Sequence, residues 1–194
     1  MNKNVTEIVF LLDRSGSMSG LEKDTIGGFN SFVKSQVERK GKTLITTALF
    51  DDQYEILWSG VPAEQVQLTS EDYFVRGTTA LLDALGKTIL DVGYRLSRIE
   101  ENDRPGKVIF VITTDGMENA STEFTHEKVK KLIEHQQEKY NWEFIFMGAN
   151  IDVIAEAKNL GIKEEDAFRF EATDEGVENL YAMMIEEIIQ RRNK

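Results

Sequence analysis

The sequence predicts an α/β fold: one doubly wound, mostly parallel sheet of about six strands, with one antiparallel edge strand and helices on both faces. Three observations lead there. Short, almost continuously apolar runs recur along the chain, as strands buried on both faces require. Segments with apolar residues at helical spacing separate these runs. No internal repeat, low-complexity stretch or linker divides the 194 residues, so 1–194 reads as a single domain.

The elements follow in order. Val5 to Leu12 (VTEIVFLL) is a β-rich run suited to a central strand. After a Gly/Ser turn, Ile26, Phe29, Val33 and Val37 repeat at helical spacing up to Lys40-Gly41. Thr43 to Phe50 is a second strand, and Asp51-Asp52 reads as a hairpin turn into an antiparallel edge strand, Tyr54 to Trp58. Pro62 to Arg76 is irregular and polar; Leu82, Leu85, Ile89, Val92 and Leu96 then mark a helix. Pro105-Gly106 breaks the chain before Val108 to Thr113 (VIFVIT), its most strand-like run. A helix through Val129, Leu132 and Ile133 precedes a strand at Glu143 to Met147. Ile151 to Leu160 is a helix ending at Gly161, and Ala167 to Phe170 is a short strand. Val177, Leu180, Met184 and Ile188 give a closing helix, with Asp174 and Glu175 placed favourably for its dipole.

Bulk chemistry narrows the function. The net charge of −11, from 34 acidic and 23 basic residues, repels phosphate backbones, so nucleic acid is excluded as the expected partner. No apolar run approaches the roughly 20 residues of a membrane-spanning helix, and Ile8 to Leu12 is too short for a secretory signal. The chain has no cysteine, which removes disulfides and thiolate chemistry and fits a cytoplasmic setting.

In an open α/β sheet, ligands collect at the carboxyl ends of strands where the strand order reverses. Three polar segments fall on that edge: Asp13-Arg14-Ser15-Gly16-Ser17 after the first strand, Arg76-Gly77-Thr78-Thr79 before a helix, and Thr113-Thr114-Asp115-Gly116 after VIFVIT. Asp13, Ser15 and Ser17 alternate, so a tight loop can turn their oxygens toward one point, with Thr78 and Asp115 adding a hydroxyl and a second carboxylate. An all-oxygen set with little charge suits Mg²⁺ or Mn²⁺. Thr79 follows Thr78 directly, and the sequence leaves open which of the two supplies the hydroxyl.

With Asp-x-Ser-x-Ser, the threonine before a helix and Thr-Asp-Gly all in order, the chain resembles the von Willebrand factor A (vWA) domains over essentially its whole length. The stand-alone bacterial cytoplasmic members, including the tellurite-resistance type, are the most similar. The resemblance implies a Rossmann-like fold and a metal-ion-dependent adhesion site (MIDAS). There, Ser15 and Ser17 bind the metal directly, Thr78 directly or through water, and Asp13 and Asp115 through ordered waters and the serines. It further implies a non-enzymatic protein-binding module whose vacant coordination position takes an Asp or Glu carboxylate of a partner protein. The closing helix, Val177 to Ile189, is the element that moves in such domains. Arg76 departs from the pattern, standing where the family often has glycine.

Two other functions compete. A metal-assisted phosphohydrolase would use Asp13 as nucleophile, but position 15 is Ser where such enzymes usually carry a second acid, and no His or Lys is placed as a base. A scaffold domain without metal would not need the five oxygen-bearing residues. Leu85-Gly86-Lys87-Thr88 is no P-loop, since Leu81 stands where the first glycine is required. His126 and His135 read as surface residues and Met183-Met184 as packing. Glu118, Asn119, Asn150 and Asp152 lie on the presumed active edge, either shaping a partner surface or solvating loops.

Overall fold

The computed structural model describes residues 1–193. Its strands are β1 (Asn2–Asp13), β2 (Lys42–Phe50), β3 (Tyr54–Pro62), β4 (Pro105–Thr114), β5 (Glu143–Gly148) and β6 (Ala167–Arg169). Its α-helices are α1 (Glu22–Val37), α2 (Leu81–Ser97), α3 (His126–Tyr140), α4 (Val153–Asn159) and α5 (Asp174–Arg192). The strands form one sheet in the order β3-β2-β1-β4-β5-β6, with β2–β3 antiparallel and the other pairs parallel. This is the architecture expected from the sequence, with the antiparallel strand at the edge.

Period-two alternation in β1 divides the core. Ile8, Phe10 and Leu12 face the cluster under α1 and α5, whereas Val9 and Leu11 face the cluster under α2, α3 and α4. Phe10 meets both Phe29 and Phe32 of α1 edge-on, at 5.0 Å between ring centroids in each pair. Close approach of α1 to α5 requires Gly28: a β-carbon there would stand 2.1 Å from Tyr181 Cδ2. Arg191 fixes the far end of α5, pairing with Glu143 at 3.0 Å and Asp166 at 2.6 Å. No helix among the described residues is long and apolar enough to cross a membrane.

Element ends differ from expectation where local caps decide them. Helix α4 begins at Val153 because the Asp152 carboxylate accepts the Ala155 amide at 3.1 Å, an N-cap inside the segment that periodicity alone would make helical. The chain leaves β1 in one direction toward β2 and β3, and returns through β4 in the other. The crevice between the carboxyl ends of β1 and β4 is therefore the switch point, and Asp13 and Asp115 stand there.

Candidate metal centre

Four of the five residues singled out in the sequence converge at the switch point. The Ser15 amide donates to Asp13 Oδ1 at 2.8 Å, and the Thr114 hydroxyl donates to Asp13 Oδ2 at 2.7 Å. Ser15 Oγ lies 3.0 Å from Ser17 Oγ, and Ser17 Oγ donates to Asp115 Oδ1 at 2.5 Å. Asp13, Ser15 and Asp115 are buried, whereas Ser17 reaches the surface. From beneath, the Tyr73 hydroxyl donates to the Asp13 carbonyl at 2.6 Å.

The second loop is tied to the first by backbone: Arg76 N donates to Arg14 O at 2.9 Å and Gly16 N to Gly77 O at 3.1 Å. Gly77 is required here, with φ +65° and Asp52 Oδ1 only 1.9 Å from where a β-carbon would sit. The two threonines that the sequence leaves as alternatives separate clearly. Thr78 is exposed. Thr79 is 4% exposed, and a β-carbon added at Gly116 would be 3.5 Å from Thr79 Oγ1 and 3.4 Å from Ser17 Oγ. Thr79 Oγ1 and Ser17 Oγ thus flank one glycine. Neither threonine is the N-cap of α2, which is Ala80. The first free amides of α2 are met from the third loop instead, Leu82 N by Glu118 Oε2 at 2.9 Å and Asp83 N by Ser121 Oγ at 3.0 Å.

Two buried carboxylates share this site without a cationic side chain against them. Burial pushes the Asp13 carboxyl above its ordinary range, with the hydrogen bonds from Ser15 and Thr114 opposing. Burial also raises Asp115, which Asp13 raises further and the Ser17 bond opposes. Asp115 Oδ2 is buried with no hydrogen-bond partner among the described residues. Arg14, inside the loop, does not compensate them: its Nε donates to Asp51 Oδ2 at 3.2 Å, and its Nη1 stands 3.0 Å from Glu55 Oε2, an ion pair without hydrogen-bond alignment. Arg76 likewise turns to Asp51 at 2.6 Å. An orphaned carboxylate oxygen, two uncompensated acids and neighbouring hydroxyls fit a hard divalent cation with oxygen ligands. No group of three or more His, Cys, Asp or Glu residues able to hold a metal occurs among the described residues, and the side-chain oxygens offered here are two carboxylates and the neighbouring hydroxyls.

Asp51 is the residue that sequence reasoning missed, having read it only as a turn. Its buried side chain binds both arginines, and its carbonyl accepts the amide of Ala80 at 2.8 Å. Two further polar loop residues have structural roles: Glu118 holds the start of α2, and Asn119 Oδ1 accepts Thr79 N at 2.9 Å. Asn150, at φ +58°, donates to Asp115 O at 3.3 Å and steadies the third loop. His126 pairs with Glu156 at 2.8 Å.

The sheet order and this switch-point crevice define a doubly wound α/β domain. No protein-family model and no curated protein matches the sequence, but solved structures do. Proximal thread matrix protein 1 from the mussel byssus, with its MIDAS motif occupied by zinc, aligns at TM-score 0.64 and 17% identity over 94% of this chain and 45% of that chain. Manganese-loaded TRAP protein of Plasmodium vivax aligns at 0.64 and 17% over 93% of this chain and 73% of that one. The ArnB paralog VWA2 of Sulfolobus acidocaldarius aligns at 0.59 and 20% over 96% and 45%. The chain spans less than half the length of the mussel and Sulfolobus chains. At such identities the likeness establishes the fold.

Proposed function

We propose that this protein is a metal-dependent protein-binding module, in which Asp13, Ser15, Ser17 and Asp115 hold Mg²⁺ or Mn²⁺. Thr79 provides the further hydroxyl, at the position for which the motif selects Thr78. The observation that carries this reading is the pair of buried carboxylates, Asp13 and Asp115, that no cationic side chain neutralises. Neighbours of this fold, one with zinc in its MIDAS motif and one loaded with manganese, support a divalent ion. With two carboxylates as its only charged ligands, the ion keeps affinity for an outside anion, so the partner is one that presents an Asp or Glu side chain.

The reading is non-catalytic. Both Asp13 oxygens are engaged, with Ser15 N and Thr114 Oγ1, which disfavours Asp13 as a nucleophile toward phosphate esters. The absence of cysteine supports a cytoplasmic setting, and the motif resemblance supports the stand-alone bacterial, tellurite-resistance type. Calorimetric titration of chelator-treated protein with Mg²⁺ and Mn²⁺ tests the site. One binding event that disappears in Asp13→Ala is expected; undiminished binding in that variant would place the ion elsewhere and end this reading.

A further inference from the structure

The wall between the third loop and α4 holds a cleft of about 210 Å³, lined by Leu81, Gly116, Met117, Ile151, Ala155 and the His126–Glu156 pair among others. It adjoins the metal centre: Gly116 forms part of its lining, and a β-carbon on Gly116 would already be 3.4 Å from Ser17 Oγ. Beside it stands Met117, at 72% exposure the most exposed large apolar side chain among the described residues. A pliable, unbranched thioether so placed suits contact with an incoming apolar group.

The carboxylates lining the cleft already have partners within the protein. Glu118 accepts from Leu82, Ala120 and Ser121 amides, Asp152 from the Ala155 amide, and Glu156 pairs with His126. The cleft therefore does not demand a cation, and its Leu81, Ile151, Ala155 and Met117 surfaces are apolar. Its volume is below the 300–1,000 Å³ or so of whole small-molecule sites and suits one or two side chains. A second acidic residue next to the captured carboxylate would be repelled by a protein of net charge −11.

We propose that this cleft is the specificity pocket of the metal centre, receiving an apolar side chain adjacent to the partner's metal-binding Asp or Glu. The proposal rests on the metal-binding reading above and names the partner's chemistry: an acidic residue with a leucine-like neighbour.

The test uses three capped tripeptides, acetyl-Gly-Asp-Gly-amide, acetyl-Leu-Asp-Gly-amide and acetyl-Gly-Asp-Leu-amide, titrated into amide- and methyl-labelled protein with saturating Mg²⁺. All three peptides are expected to move the Gly116 amide resonance. At least one leucine peptide should also move the Met117 and Ile151 methyl resonances and bind about tenfold more tightly than the glycine peptide. In Ala155→Glu, a charge on an exposed helical position lining the cleft, the leucine advantage should vanish while Mg²⁺ and glycine-peptide binding persist. Equal binding of all three peptides with silent methyl groups overturns the pocket and leaves the metal reading standing. A Gly116 amide indifferent to both Mg²⁺ and peptide overturns both.

Discussion

Asp13 ends β1 and Asp51 directly follows neighbouring β2, with Asp13 opposite Phe50 in the β1–β2 register, and both are buried, at 1% and 0% exposure. Their surroundings are opposite. Asp51 has two guanidinium groups on Oδ2, from Arg14 at 3.2 Å and Arg76 at 2.6 Å, and the Gln53 amide on Oδ1 at 2.6 Å. Asp13 has only a backbone amide and a hydroxyl. Arg14 lies between Asp13 and Ser15 in the chain, yet its charge serves Asp51. One carboxylate carries its counter-charge within the fold; the other, with Asp115, has none there and, on the function proposed above, takes it from an ion in solution. A structural acid and a binding acid therefore differ in whether the fold itself neutralises them.

The largest expected effect breaks the structural half of that contrast. Asp51→Ala leaves the fully buried Arg14 guanidinium with only its ion pair to the half-exposed Glu55, at an expected loss of about 3 kcal/mol in urea unfolding. Asp13→Asn in metal-free protein should change stability by only about 1 kcal/mol, since the amide keeps one acceptor and sheds an uncompensated charge. Equal losses in the two variants would erase the distinction.

Adding the ion sharpens it. At a hundredfold excess of Mg²⁺ over the dissociation constant, the wild-type protein should gain about 2.7 kcal/mol in unfolding free energy. Asp13→Asn and Asp115→Asn should gain nothing. Arg76→Ala, which touches only the Asp51 side of the pair, should keep the gain relative to its own baseline.

These contrasts mark how far the sequence could be read. The convergence of Asp13, Ser15, Ser17 and Asp115 was legible because their loops follow the ends of recognisable strands, and parallel strands carry their ends to one edge. The Arg14–Asp51 and Arg76–Asp51 bonds were not, because they span 37 and 25 residues and depend on how the β2–β3 hairpin closes over the loop. Local pattern gave Asp51-Asp52 a turn, which is correct for the backbone and silent about the side chain. The start of α4 was blurred for a similar reason: Asp152 caps the helix, but periodicity alone extends it backward.

A smaller effect follows from pH. Asp13 and Asp115 are both raised above an ordinary value of 3.8 in the metal-free fold. The native state therefore holds more protons than the unfolded chain between that value and the raised ones. Their contribution to stability is full below 3.8 and is lost as pH rises through the native values. Urea midpoints of metal-free wild type, measured from about pH 4 to 7 against Asp13→Asn/Asp115→Asn, should fall relative to the double variant as pH rises. Saturating Mg²⁺ should reverse the trend, because the ion binds the ionised carboxylates. An unchanged difference across that range in metal-free protein would show that the two acids are already neutralised.

The smallest effect separates two adjacent threonines. Gly77 at φ +65° sets the backbone direction of the second loop, and the mutual bonds between Thr79 and Asn119 fix it further, at 2.9 and 3.0 Å. The result buries Thr79 beside Gly116 and leaves Thr78 outside. Because Glu118 and Ser121 meet the first amides of α2, neither hydroxyl is needed as a cap. Thr79→Ala should therefore weaken Mg²⁺ by about tenfold with little change in metal-free stability, and Thr78→Ala should change neither. If Thr78→Ala gave the larger loss, the second loop would have to turn over when the ion binds, and the hydroxyl would belong to the residue that the motif alone selects.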